Sequence, residues 1–515
     1  MNLNLESLKN KEDWEKAGIK LPSFDIARMK ELTLSNPIWI HFGAGNIFRA
    51  FLAPVQQKLL ELGLSSQGIT AAFSHEPEII EAFWNKHDCL SLSVSFNADG
   101  SLETEVTASV DRALYADPSS PDWAELVNAF KSPSLQIVSY TITEKGYADT
   151  SPASAMKKTA LLLLERFRAN ASPLAVVSMD NCSKNGEKLS QAVVAAASSL
   201  DLDSGEKISF LSYLAEKVSF PWSMIDKITP RPNPVVAQTL KEAGFESTGL
   251  IQTELGTFVS PFVNAEKFQL LVVEDDFPNG RPPLEKGGII FASRDSVNLA
   301  EKMKVGACLN PLHTAISIFG VLLGFEAVAT ATKDPSIGKL ANRLGYGENL
   351  PMAADPGIIS AKDFLSQCLN ERFINPFLRD APSRITTDTS QKLSARFGDT
   401  IKSYRDKDPE GLNNLEAIPL VIGGWLRYLL GVDDSGNPFE ISPDPLLPSL
   451  LPVLSGITLG SDFDPGVADP ILSNEAIFGL DLLGTPIADK AKEYFKKLSA
   501  APGAVRKTLD EFAGS

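Results

Sequence analysis

Two stretches of this 515-residue chain hold residue types whose spacing suits chemistry. The first is Lys302-Met303-Lys304-Val305-Gly306-Ala307-Cys308-Leu309-Asn310-Pro311-Leu312-His313. Pro311 suits a first helical turn and makes Asn310 the expected N-cap. Asn310 and His313 then fall near each other at the start of a helix. A lysine, an amide and an imidazole grouped in this way make an acid–base and oxyanion set. Carbonyl–alcohol interconversion needs such a set: a proton donor, and N–H donors for the developing alkoxide. A lysine among apolar neighbours has its pKa lowered into a useful range. The plainer alternative is a capped helix, a core-edge histidine and two surface lysines, and spacing alone favours it.

The second stretch is Trp39-Ile40-His41-Phe42-Gly43-Ala44-Gly45-Asn46-Ile47-Phe48-Arg49. A short β-forming run at 38–42 ends in Gly-x-Gly and enters helical periodicity over 47–62. In such a turn the first glycine permits the tight bend and the second lets the backbone approach a pyrophosphate. The helix N-terminus then presents free N–H groups to it. Phe48 stands where a third glycine is usual, so the motif is weak by itself and a plain tight turn stays open. The acidic residue that grips an adenosine ribose lies at the end of the second strand. Here that strand, 69–73, is followed by Ser74-His75-Glu76. Glu76 is the candidate, with His75 placed to stack on an adenine; both could equally be ordinary loop residues. No arginine follows the strand, which favours NAD over NADP while leaving NADP open.

The elements that must position these residues follow from the pattern. Apolar runs at 38–42, 69–73, 135–140 and 174–179 alternate with helical stretches at 153–168 and 187–199. That alternation means a parallel sheet covered on both faces. A further strand is expected at 268–273. After about residue 290 helical patterns follow one another at 293–304, 310–323, 361–370, 390–404, 415–430 and 488–499, and strand signals nearly vanish. The expected fold class is α/β: a Rossmann-type dinucleotide-binding domain over 1–290 and a mostly α-helical domain over 291–515.

Composition limits the function. A net charge of −16 argues against binding a nucleic-acid backbone, but a local basic cluster for an anionic metabolite is compatible with it. The four cysteines show no CxxC spacing and the four histidines no metal-ligand spacing, so neither a disulfide scaffold nor a metal site is expected. The polar N-terminus lacks a signal-peptide core, and no apolar run reaches a membrane span. A cytoplasmic protein without membrane or nucleic-acid partners is expected.

Beyond single motifs, the chain resembles the long-chain polyol dehydrogenases, which comprise mannitol dehydrogenases and the related hexuronate (fructuronate and tagaturonate) reductases. The resemblance rests on HFGAGNIFRAF at 41–51, TITEKGY at 141–147, VVSMDNCSKNG at 176–186 and MIDKITP at 224–230. It continues through EDDFPNGRPPLEK at 274–286, KVGACLNPLH at 304–313 and RITTDTSQK at 384–392. It implies a metal-free enzyme, monomeric or weakly oligomeric, with the substrate in a cleft between a Rossmann-type and a helical domain. Lys304 matches the catalytic general acid–base, and Asn310 and His313 match the family's asparagine and histidine. Asn185 or Asn181 would supply the second oxyanion amide. Asp226 matches an acidic residue lining the cleft. Arg384 and Lys392 match a substrate-gripping pair; otherwise Arg384–Asp388–Lys392 reads as a helical ion-pair ladder. On the cofactor side, the resemblance makes Gly43, Gly45, Asn46, Phe48, Arg49, Glu76, Thr143 and Glu144 the expected contacts.

Mannitol dehydrogenases carry one residue fewer between the lysine and the asparagine, which leaves Lys302 as a competitor to Lys304. The implied reaction is reversible hydride transfer between NAD(H) and the keto group of an open-chain sugar acid, fructuronate/mannonate or tagaturonate/altronate. The alternatives are a mannitol or other polyol 2-dehydrogenase, and a catalytically inactive relative that senses NAD or a metabolite.

Overall fold

Strands buried on both faces carry no polar alternation, and those of the first half behave accordingly. The computed structural model describes residues 1–97, 99–378 and 380–514. Six strands, β1 (Trp39–Phe42), β2 (Ile69–Phe73), β3 (Val110–Tyr115), β4 (Ile137–Tyr140), β5 (Leu174–Ser178) and β6 (Val218–Ser219), form one sheet. Its order is β3-β2-β1-β4-β5-β6, with every neighbouring pair parallel. This is the doubly wound order, which reverses between β1 and β4 and opens a crevice at the carboxyl ends of those strands. Side chains alternate between two cores. Trp39, Ile69, Ala71, Phe73, Ile137 and Val177 enter one. Ile40, Phe42, Ala72, Val138, Tyr140 and Val176 enter the other.

Helices cover both faces. On the first, α1 (Ala53–Glu61) contributes Val55 and Leu59. On the second, α2 (Ala155–Arg168), α3 (Asn185–Ser198) and α4 (Ser204–Lys217) contribute Leu163, Leu189 and Phe210. A small sheet follows from β7 (Ser223–Asp226), β8 (Leu270–Glu274) and β9 (Ile290–Ala292), with β8 antiparallel to β7 and parallel to β9. Strand β3 was not among the expected strands, because Asp111 and Arg112 interrupt its apolar run.

The chain divides into two compact units, the first made of 1–97 and 101–298 and the second chiefly of 299–515. The second is helical. Helices α5 (Arg294–Met303) and α6 (Asn310–Leu322) are joined by a π-turn, Lys304–Cys308, into one run, Arg294–Leu322, of 29 residues. By length and apolarity this run could cross a membrane, contrary to expectation. Its apolar window is 72% buried inside the fold, as in a core helix. Helix α7 (Ala417–Tyr428) is buried along its whole length and packs on α8 (Pro486–Leu498). Its N-terminus is closed by a distant side chain: the Glu348 carboxylate accepts the backbone N–H groups of Glu416, Ala417 and Ile418 at 2.7, 2.7 and 2.8 Å. The helix expected over 390–404 is broken into a 3₁₀ turn (Thr389–Gln391), a second π-turn (Ser394–Gly398) and an α-helix (Asp399–Lys407).

Candidate active site

The glycine turn lies at the carboxyl end of β1, where the sheet order predicts a crevice. Gly43 has φ +81°, and a Cβ there would meet the Thr141 carbonyl oxygen at 2.3 Å. Only glycine fits both constraints. Gly45 differs: its nearest neighbour would be 3.8 Å from an added Cβ. The Arg49 N–H closes the first helical turn onto the Gly45 carbonyl at 3.0 Å. The N–H groups before it therefore have no helical partner and can meet an anion. His41 fastens the turn from behind. Its two ring nitrogens contact Ser139 Oγ and Thr141 Oγ1 at 2.7 and 2.9 Å, and Thr141 Oγ1 donates to the Gly43 carbonyl at 2.7 Å. Burial pushes the His41 pKa down to about 3, so the ring is neutral.

This turn borders a cavity of about 360 Å³ whose wall includes Gly43, Gly45, Asn46, Arg49, His75, Glu76 and Thr143. Seven expected residues thus share one pocket. Arg49 is buried, with its Nε donating to Ser91 Oγ and an Nη to the Ser260 carbonyl. Glu76 is held at φ +54°, and its carboxylate accepts the hydroxyls of Thr253 and Thr257. Those threonines belong to a short hairpin, Ile251–Gln252 with Phe258–Val259, that adds Phe258 and Val259 to the wall.

Two expected cofactor contacts fall elsewhere. Phe48 is wholly buried and stacks on His41 at 4.4 Å between ring centres, so its side chain belongs to the core and not to the pocket. Glu144 is exposed and pairs with Lys188.

Asp180, which lies in the VVSMDNCSKNG segment but was not among the expected site residues, organises the adjoining loop. Its carboxylate accepts the N–H groups of Ile142 and Thr143 at 3.0 and 2.9 Å and the Tyr147 hydroxyl at 2.5 Å. Those bonds hold Thr143 at φ +65°. Asn185 is corrected as an oxyanion donor. Its amide NH₂ donates to the carbonyls of Asp180 and Ser223 and to Ser223 Oγ, and its Oδ1 accepts the Ser223 N–H, all at 2.9–3.0 Å. A buried amide so committed ties α3 to β7 and has no N–H left for a substrate. Asn181 is exposed, and Asp226 is buried at the end of β7.

In the helical unit, Lys304 is 3% exposed whereas Lys302 lies on the surface. Asn310 is not an N-cap, since the helix runs through it from the π-turn. His313 is largely buried beside Phe373, and its Nε2 has no hydrogen-bond partner among the described residues. Burial, followed by the charges of Arg372, Arg396, Arg384 and Lys392, pushes its pKa down to about 3. The charges of four cations thus act on this imidazole in a chain of net charge −16, and the Asp380 carboxylate stands 3.9 Å from its Nε2. Arg384 pairs with Asp380, and Lys392 donates to the Thr387 carbonyl. The helical ladder through Asp388 does not form, because Asp388 stands at φ +52° between helical segments.

Models of the mannitol dehydrogenase Rossmann domain and of the mannitol dehydrogenase C-terminal domain match residues 37–286 and 297–483. The chain belongs to the mannitol dehydrogenase family. It is an oxidoreductase of the type that acts on CH–OH groups. A D-mannonate oxidoreductase of Thermotoga maritima is 43% identical, over 100% of this chain and 99% of that one. Its Escherichia coli namesake is 30% identical, over 83% and 85% of the two chains. The fold matches a Pseudomonas fluorescens mannitol 2-dehydrogenase, solved as a ternary complex with NAD and D-mannitol, with a TM-score of 0.70 at 24% identity, covering 100% of both chains.

The one-residue-longer Lys304–Asn310 spacing that the resemblance implies has a structural counterpart. The Leu309 N–H donates to the Lys304 carbonyl at 3.0 Å, five residues back instead of four. Such a turn holds one residue more than an α-turn. Asn310 therefore keeps the helical phase that it would have one residue earlier in an unbroken helix. Arg372 and Arg396 are the residues that sequence reasoning missed. They lie 24 residues apart, and no local pattern announces that the charges of both act on His313.

Proposed function

We propose that this mannitol dehydrogenase family member is an NAD(H)-dependent hexuronate reductase, interconverting a keto-hexuronate and its aldonate. Fructuronate with mannonate, or tagaturonate with altronate, are the candidate pairs. The observation that carries the reading is the basic character of the start of α6, where the charges of Arg372, Arg396, Arg384 and Lys392 all act on His313 and Arg396 donates to Thr314 Oγ1. The hydroxyls of a neutral polyol can accept hydrogen bonds from these cations but leave their charge uncompensated, whereas a substrate carboxylate matches guanidinium donors in charge and shape. The 43% identity to a protein named D-mannonate oxidoreductase points the same way.

The residues lining the glycine-turn cavity fit a dinucleotide. Gly45 leaves room for a pyrophosphate, the helix start at Asn46 offers N–H groups, and Glu76 stands at the end of β2 where ribose hydroxyls are gripped. A carboxylate at that place disfavours a 2′-phosphate, which supports NAD over NADP. When bound, the nicotinamide supplies or takes up the hydride.

The chain's own part is proton and charge management. Lys304 donates a proton to the carbonyl oxygen as it becomes an alkoxide, and takes it back in the reverse direction. Its burial supports it over the exposed Lys302. Asn310 donates an amide N–H to the developing charge, and with Asn185 committed elsewhere the second amide falls to Asn181. His313, neutral and with Nε2 unpartnered among the described residues, accepts a substrate hydroxyl. Arg384 and Lys392 hold the substrate's far end.

The test is NADH oxidation with fructuronate, tagaturonate and fructose. Turnover of one uronate with little of fructose is expected; fructose as the better substrate overturns the reading in favour of a polyol 2-dehydrogenase. Tight NADH binding with no turnover of any of the three marks a sensor. Lys304→Ala should lose roughly 10²–10⁴ in kcat while still binding NADH, and normal turnover in that variant overturns its role.

A further inference from the structure

The four cations whose charges act on His313 are not equivalent. Arg384 is 67% exposed and already paired with Asp380. Lys392 gives one of its three N–H groups to the Thr387 carbonyl. Arg396 has no carboxylate partner among the described residues. Among the described residues its one side-chain hydrogen bond goes from an Nη to Thr314 Oγ1, which leaves most of its five N–H donors without a protein acceptor there. Burial alone pushes its pKa down to about 10, and its guanidinium is nevertheless not sealed from solvent. A cation held in a partly dry place, beside other cations and without an anion, is costly unless a ligand brings the anion.

Its backbone is specially placed as well. Arg396 sits in the π-turn Ser394–Gly398, and this turn packs on the π-turn that begins with Lys304: a Cβ added at Gly306 would lie 3.3 Å from the Ala395 carbonyl. From Arg396 the contacts run to the Thr314 hydroxyl and from there to the Asn310 carbonyl at 2.8 Å. The arginine is thereby fixed against the first turn of α6, the turn that carries Asn310 and His313.

We propose that Arg396 recognises the carboxylate of the substrate and so sets the preference for a sugar acid over a neutral sugar of the same shape. The proposal rests on the hexuronate function proposed above. It names the residue that makes the selection, which the motif-matched Arg384 and Lys392 do not. With one N–H held by Thr314, the guanidinium keeps an edge for a two-point contact with a carboxylate.

The experiment compares D-mannonate with D-mannonamide, which has the same carbon skeleton without the charge, as substrates for NAD reduction. Wild type is expected to prefer the acid strongly. In Arg396→Gln the kcat/KM for mannonate should fall about a hundredfold, mostly through KM, as for loss of one buried charge-paired contact. The acid-to-amide ratio should collapse with it, and Arg396→Lys should restore part of the preference. NADH binding and the melting temperature report whether each variant is folded, and Arg396→Lys serves if Arg396→Gln is not.

A wild-type acid-to-amide ratio retained in Arg396→Gln overturns the proposal and leaves the hexuronate function standing. An equal loss on both substrates also overturns it, by showing that the arginine acts only through the position of α6. A wild type that turns over neither mannonate nor its amide, yet oxidises mannitol, sinks the hexuronate function and the proposal with it.

Discussion

Replacing Gly43 and Gly45 one at a time by alanine should separate two roles that a single glycine motif combines. At Gly43 the added methyl group meets two obstacles. A left-handed backbone costs a non-glycine residue roughly 1–2 kcal/mol. The new Cβ would also lie 2.3 Å from the Thr141 carbonyl oxygen, where ordinary contact begins at 3.4 Å, an overlap of 3.4 − 2.3 = 1.1 Å. Relieving such an overlap in packed backbone costs roughly 1–3 kcal/mol more. Gly43→Ala should therefore destabilise the dinucleotide unit by roughly 2–5 kcal/mol and lower its melting temperature by roughly 5–15 °C. Because Thr141, Ile142 and Thr143 line the pocket, NADH affinity should fall with stability. At Gly45 the nearest atom is 3.8 Å away. Gly45→Ala should melt with wild type and still lose at least about tenfold in NADH affinity, because its Cβ occupies the approach of the pyrophosphate. Differential scanning calorimetry and NADH fluorescence titration read the two effects. A wild-type melt for Gly43→Ala would refute the steric argument, and wild-type NADH affinity for Gly45→Ala would refute the placement of the pyrophosphate.

Three further outcomes are expected. Asn185→Ala removes four buried hydrogen-bond contacts and should cost roughly 2–4 kcal/mol in stability; Asn181→Ala should leave the melt unchanged and lower kcat by about a hundredfold. An Asn185→Ala protein as stable as wild type would show that its amide is not structural. Glu348→Gln weakens the carboxylate cap on three N–H groups of α7 and should cost roughly 1.5–3 kcal/mol, read by urea denaturation of the helical unit. His41 and His313, both pushed down to about 3, stay neutral in the fold while the unfolded chain protonates near pH 6.5. Stability is therefore fully present above about pH 6.5 and is lost as pH falls toward 3, by about 1.4 kcal/mol per pH unit for each ring. Their ring-carbon NMR shifts should keep neutral-form values at pH 5, and a midpoint near 6.5 for either one contradicts the burial argument.

The parallel sheet was legible because burial on both faces leaves unbroken apolar runs: 69–73 is β2 residue for residue, and 174–179 overruns β5 by one. Strand β3 was not, since Asp111 and Arg112 give it the look of a loop; Asp111 is nonetheless buried, with its carboxylate accepting the Thr70 hydroxyl at 2.8 Å. The glycine turn could be read locally, and so could Glu76. Asn185 could not be told from Asn181 by spacing, because the difference lies in Ser223, 38 residues further along the chain. The π-turns at 304–308 and 394–398 were invisible for another reason. Hydrophobic periodicity is judged over several turns, and one surplus residue is a small departure within such a window. Arg372 and Arg396 were overlooked because a cationic cluster assembled by tertiary contacts leaves no mark in either segment alone.

The π-turn at Lys304–Cys308 also bears on how this part of the chain can change by inheritance. Two of its carbonyls are taken up from outside the helix: Gly306 accepts the Thr400 hydroxyl at 3.3 Å, and Ala307 accepts the Asn349 amide at 3.0 Å. Loss of one codon within 304–308 would return the segment to plain α-geometry and keep the lysine in register with α6. Its cost would fall on Thr400 and Asn349, which would lose their acceptors. A one-codon change there would alter the count between Lys304 and Asn310 without altering their helical phase, so residue count alone does not fix how the two lie relative to one another.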